Sequence, residues 1–171
     1  MIYLVSNTIG ISGMQDVSLL SVEESKQLIL SWPVVQFDTE TTGLDARCCE
    51  LTSLQFGYKD FKTGECNQVV VDCKSISPAE YKDVIEKAYL IGHNLKFDIE
   101  FLYNHNIIPR RVYDTMVCEQ TLYLGYRKGQ VSFALHDVLQ RYTGFELDKT
   151  YQKQIALRGL TAEGIHYAAN D

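Results

Sequence analysis

Apolar residues recur along this chain with two periods, and the switches between them predict its elements. "IYLVS" is a short apolar run, expected as an edge strand. "SVEESKQLILSW" changes to helical spacing, and Ser21 followed by Glu24 is a capping-box signature at its start. Pro33 suits the entry of a strand, where a missing N–H costs least. "VVQFDTE" is that strand, with acids at its C-terminal end. "LTSLQFGYK" and "CNQVVVDC" follow as strands, joined through "DFKTGE" by a turn at Thr63-Gly64. "SPAEYKDVIEKA" predicts a helix with Ser77 as N-cap, Pro78 in its first position and Glu80 closing a box.

The second half alternates more quickly. "YLIGHN" is a short buried strand running into the helix "LKFDIEFLYNH", and "RRVYDT" is a further short strand. "MVCEQTLYLG" and "SFALHDVLQRYTG" are helical, the latter stopped by Gly144, and "LTAEGIHYAAND" is a last helix capped by Thr161. Strands first, then strands alternating with helices, imply an α/β fold around a mixed sheet of about five to six strands, with helices on its faces.

Composition narrows this picture. A chain of 171 residues that is 46% hydrophobic can bury one core, and no apolar run approaches the length of a membrane span. The N-terminus lacks the basic start and cleavage site of a secretory signal, so a cytoplasmic location and no membrane partner are expected. The five cysteines are scattered, with no C-x-x-C pair and no zinc-like histidine spacing, and read as ordinary thiols. A net charge of -6 argues against general, charge-driven binding to nucleic acid. It leaves room for an enzyme whose acids are gathered around cations.

Three stretches carry candidate chemistry. Asp38 and Glu40 stand at i and i+2 of a strand and project from one face, where their repulsion calls for a shared proton or a hard cation. A D-x-E pair alone also fits a solvated turn. Asp98 lies in an apolar first helical turn, either as a site acid or as a charge favourably placed near a helix N-terminus. Asn94 before it reads equally as an N-cap. Tyr167 and Asp171, at i and i+4, share a helix face, as site residues or as a core aromatic and a frayed terminal acid. Four carboxylates and a tyrosine on elements leading to one sheet edge suffice for a two-cation site clamping an in-line phosphoryl displacement.

These residues resemble the DEDD exonucleases in their tyrosine-bearing DEDDy branch. "FDTETTGLD" looks like the first motif, "GHNLKFDIEFL" the second and "YAAND" the third. The likeness is greatest to the proofreading domain of polymerase I-like (family A) DNA polymerases, with ribonuclease D a near relative. It implies a three-layer ribonuclease H-like fold over residues 34–171, with residues 1–33 as an edge strand and helix leading in. It also implies 3'-5' hydrolysis at a single-stranded DNA end, with RNA as the alternative substrate. A third reading is a non-catalytic nucleic-acid-binding domain on the same fold.

The resemblance assigns roles as well. Asp38, Glu40 and Asp171 would hold a first divalent cation, Mg²⁺ or Mn²⁺. Asp38 would bridge to a second, which Asp98 supports through water. Tyr167 would orient the attacking water, since a phenol titrating near 10 is a poor base at neutral pH. Thr39, Leu44 and Asn94 match substrate-binding positions. His166 has the spacing of the histidine in the sister branch, but "YAAND" favours Tyr167. Asp114 reads as an N-cap, while Arg110, Arg111, Arg127 and Lys128 are phosphate contacts or solvated loop charge. In the family the last helix continues past the third motif. The chain is therefore expected to be the N-terminal piece of a longer protein, most plausibly a DNA polymerase, and weakly active when it ends at Asp171.

Overall fold

The computed structural model describes residues 1–11, 14, 16–125, 131–144, 161, 164 and 165. Among the described residues seven strands form one mixed sheet: β1 (Ile2–Val5), β2 (Val17–Leu19), β3 (Val35–Thr41), β4 (Leu51–Lys59), β5 (Cys66–Asp72), β6 (Tyr89–Gly92) and β7 (Arg111–Asp114). Their order is β2-β1-β5-β4-β3-β6-β7. The central β3-β4-β5 meander is antiparallel, and the flanking pairs β2-β1, β1-β5, β3-β6 and β6-β7 are parallel. Among the described residues the α-helices are α1 (Val22–Leu30), α2 (Lys82–Lys87), α3 (Leu95–Tyr103), α4 (Thr115–Leu122) and α5 (Leu135–Thr143). None of them is long and apolar enough to cross a membrane.

The strand register sorts the side chains into two layers, because directly opposed residues share a face. Val35, Phe37, Leu54, Phe56, Val69, Val71 and Val5 point to one side, where they meet Ile29, Tyr81, Val84, Ile85, Phe101 and Leu102 of the helical layer. Phe56 lies between Phe37 and Tyr81, with ring centroids 5.3 and 5.6 Å away. The opposite face carries a smaller cluster of Ile2, Leu4, Val17 and Val70, closed by Ile165. Gly164 and Ile165 are helical, and Thr161 caps them by accepting the Gly164 N–H at 3.1 Å. Both faces of the sheet are thus covered, and seven consecutive residues of β4 are buried.

Local expectations fare unevenly. Ser21 and Glu24 form the full capping box, Gly64 takes a positive φ in the β4-β5 hairpin, and Gly144 ends α5 in the left-handed conformation. β1 is not an edge strand. Three residues, Val17–Leu19, pair outside it, a run too short to show periodicity. The turn after Ser77 is a 3-10 helix, Pro78–Tyr81, and Ser77 Oγ caps Ala79 N–H in place of a box closed by Glu80. The tighter 3-10 turn suits the short run from Pro78 into α2.

Gly92, the last residue of β6, is held to glycine by close approach. A Cβ there would lie 2.6 Å from the Phe37 carbonyl oxygen and 2.5 Å from Leu95 Cδ2. Gly92→Ala must therefore push β6 off β3 or displace the first residue of α3. The expected loss is about 1–3 kcal/mol, the usual cost of overpacking, seen as a lower urea midpoint with an unchanged m-value.

Candidate active site

Asp38 and Asp98 come together where β3 and β6 part. The two strands pair only at Val35↔Leu90 and Gln36↔Ile91. Beyond Gln36 the two strands no longer pair, and the chain leaves β6 through Gly92 into α3 at this fork. Asp38 and Glu40 project from the sheet face that carries Val70 and Ile165, opposite Gln55 and Ser53 of β4 respectively. Just past Glu40 the pairing steps to Thr41↔Leu51, leaving Thr52 as the extra residue of a β-bulge. Such bulges bend a strand and re-aim its side chains.

Thr39 points to the other face, the side of α3. Its hydroxyl donates to Asp98 Oδ1 at 2.6 Å. Asp98 is 2% exposed and reaches into the fork from the first turn of α3. Burial pushes its carboxyl up to about 8, the charge of Asp38 adds to this, and the hydrogen bonds from Thr39 oppose it. The structure thus brings Asp98 beside Asp38 from a different layer of the fold.

The entry of α3 is fixed by its surroundings. Asn94 adopts the left-handed conformation, φ 62°, and its side chain makes no cap bond. Its N–H donates instead to Asp114 Oδ1 at 3.0 Å, and the same oxygen caps α4 by accepting Met116 N–H at 2.9 Å. Asp114 is therefore an N-cap, as its sequence context indicates, and also the anchor of Asn94. His93 places Nδ1 2.9 Å from Thr115 Oγ1 and Nε2 2.8 Å from the Phe133 carbonyl oxygen. It ties the second motif to the segment ahead of α5.

The other candidates are dispersed or undescribed. Leu44 stands 87% exposed on the loop after β3, free to meet a partner. Thr39 is buried, with its hydroxyl committed to Asp98. Arg110 is exposed, and Arg111 donates to the Lys87 carbonyl. Tyr167, Asp171, His166, Arg127 and Lys128 lie outside the described residues. Ile165, two positions before Tyr167, is buried on the face that bears Asp38 and Glu40. Sequence reasoning passed over Ser53 and Gln55. Their alternation in "LTSLQFGYK" puts them on one face, but only the register puts that face beside the acids.

Among the described residues no three His, Cys, Asp or Glu side chains converge closely enough to hold an ion by themselves. The donors present are nevertheless all carboxylate oxygens, the ligand type that hard divalent cations prefer. A cation would also relieve the repulsion between Asp38 and Asp98. The residues present therefore fit such an ion as part of its ligand set.

The raised Asp98 carboxyl makes stability depend on pH in a definite direction. Between about 4 and about 8 the folded chain keeps a proton that the unfolded chain has released, so the cation-free protein loses stability as pH rises through this window. Asp98→Asn keeps an acceptor for Thr39 and abolishes the charge. Chemical denaturation without divalent cations should find it more stable than the parent at pH 8 by on the order of 1–4 kcal/mol, with the difference vanishing near pH 4.

Comparison with known proteins bears on this geometry. A match to the family described as 3'-5' exonuclease spans residues 19–171. The chain is 32% identical over 141 residues to DNA polymerase I of Aquifex aeolicus, a match covering 81% of this chain and 22% of the polymerase. The chain thus spans about a fifth of that relative. Its fold is similar to Brucella melitensis NrnC solved with bound Mg²⁺, with TM-score 0.64 and 18% identity, over 99% of this chain and 74% of that one. It is also similar to Escherichia coli RNase D, with TM-score 0.66 and 20% identity, over 88% of this chain and 38% of that one. The chain belongs to the 3'-5' exonuclease family, the hydrolases whose motifs its sequence resembles.

Proposed function

We propose that this chain removes nucleotides from the 3' end of single-stranded DNA with two divalent cations, as the proofreading part of a longer DNA polymerase. The observation that carries the reading is the apposition of Asp98 and Asp38 at the β3-β6 fork in a chain of this family. The polymerase I relative supports DNA as substrate and polymerase linkage.

In this reading Asp38, Glu40 and Asp171 would hold one cation, and Asp38 with Asp98, the latter through water, would hold the second. When bound, the cations make hydroxide accessible at neutral pH and neutralise charge on the scissile phosphodiester. The remaining work falls to the chain. Tyr167 holds the attacking water in line without acting as its base. Thr39 keeps Asp98 turned toward the fork, Leu44 offers an apolar surface to the terminal bases, and Asn94 meets the substrate end. Hydrolysis forms a bond from water oxygen to phosphorus and breaks the bond to the 3' oxygen. The products are a nucleoside 5'-monophosphate and a new 3'-hydroxyl.

The test uses end-labelled single-stranded DNA and RNA of one sequence with Mg²⁺, with Mn²⁺ and with chelator. The expected outcome is stepwise shortening of DNA from its 3' end, abolished by chelator and lowered at least a hundredfold in Asp38→Ala, since removing a cation ligand withdraws several kcal/mol of stabilisation. Faster cleavage of RNA would favour a ribonuclease D-type activity. Binding of either strand without cleavage would favour a non-catalytic role, and cleavage in chelator would sink the two-cation mechanism.

A further inference from the structure

Gln55 is a buried polar residue with unfinished hydrogen bonding. It is 7% exposed, and its Nε2 donates to Ser53 Oγ at 2.8 Å. Its Oε1 is buried and, among the described residues, has no hydrogen-bond partner. Leaving a buried acceptor unsatisfied is costly, so such groups are uncommon where nothing uses them.

The position of the amide says what could use it. Gln55 stands directly opposite Asp38, and Ser53 directly opposite Glu40. Opposed Cβ atoms lie about 4.5–5.5 Å apart. The bond to Ser53 draws the amide along β4 toward the Glu40 row. On its other side Gln55 is paired with Val70, which is buried and offers no side-chain donor. Ionised Asp38 and Glu40 are acceptors only, so they cannot satisfy a carbonyl oxygen. The missing partner is a hydrogen-bond donor arriving between the acids and β4. A divalent cation's hydration water is such a donor.

We infer that Gln55 is a positioning residue of the cation site, its amide oxygen accepting from the hydration shell of a divalent ion held by Asp38 and Glu40. The inference rests on the exonuclease reading above. Ser53 holds the amide by taking its N–H, on the sheet face that bears both acids. Partners of this kind, one step removed from the ion, commonly change metal affinity 10- to 100-fold.

The test is Mn²⁺ titration of the full chain by calorimetry, without nucleic acid, alongside melting of the cation-free protein. Gln55→Met removes the acceptor at similar length, and is expected to weaken Mn²⁺ binding about tenfold without lowering the melting temperature. Gln55→Glu retains an acceptor oxygen and is expected to bind at least as tightly as the parent. Unchanged affinity in Gln55→Met overturns the inference, as does weakening shared by both variants in step with lower melting temperatures. If Gln55→Met cannot be purified, Ser53→Ala decides: weaker binding at unchanged melting temperature supports the role, and unchanged binding overturns it. Asp38→Ala separates the two claims. Parent binding that survives Asp38→Ala refutes the cation site itself, whereas binding lost in Asp38→Ala but kept in Gln55→Met refutes only the role of Gln55.

Discussion

A carboxyl group buried beside another carboxylate is costly, and the arrangement at the β3-β6 fork exists to hold that cost in place. Asp98 can be buried there only because β3 and β6 pair over two residues and then separate. Had the ladder continued, the strand edge that faces Asp98 would have been closed by β6. The fork in turn depends on Gly92, whose missing side chain lets β6 close on the Phe37 carbonyl before the chain turns away. Thr39 completes it from the strand, and the large core behind α3, through Phe101 and Leu102, keeps the helix from withdrawing its acid.

The two sheet faces share the labour. One bears most of the apolar burial and the helices α1 to α3, and so supplies rigidity. The other carries Asp38, Glu40, Ser53 and Gln55 beside a modest cluster around Val70 and Ile165. Adjacent residues of β3 serve different layers. Thr39 faces the core side and governs Asp98, while its neighbours face the polar side. A single strand therefore couples the orientation of an acid on a helix to that of two acids on the sheet.

Much of this was legible in the sequence. The period of two in "VVQFDTE" puts Asp38 and Glu40 on one face, and Asp98 declares itself as the lone acid in an apolar helical turn. What the sequence does not show is anything that turns on register or on distant partners. β2 is too short for a periodic signal and exists because β1 offers it an edge. Asn94 looks like a side-chain cap but is held through its backbone by Asp114, twenty residues away. Gln55 reads as an ordinary polar strand residue until the ladder places it across from Asp38.

The cluster of Ile2, Leu4, Val17, Val70 and Ile165 joins the start of the chain to a point near its last residues. Contacts of such long sequence separation close a very large loop before they return any energy, and so tend to form late in folding. On a ribosome the strand bearing Asp38 and Glu40 emerges early, while Ile165 arrives only after all seven strands of the sheet. The nascent chain therefore displays Asp38 and Glu40 long before the small cluster around Val70 and Ile165 can close. A domain built this way keeps one face of its sheet open while it is being made.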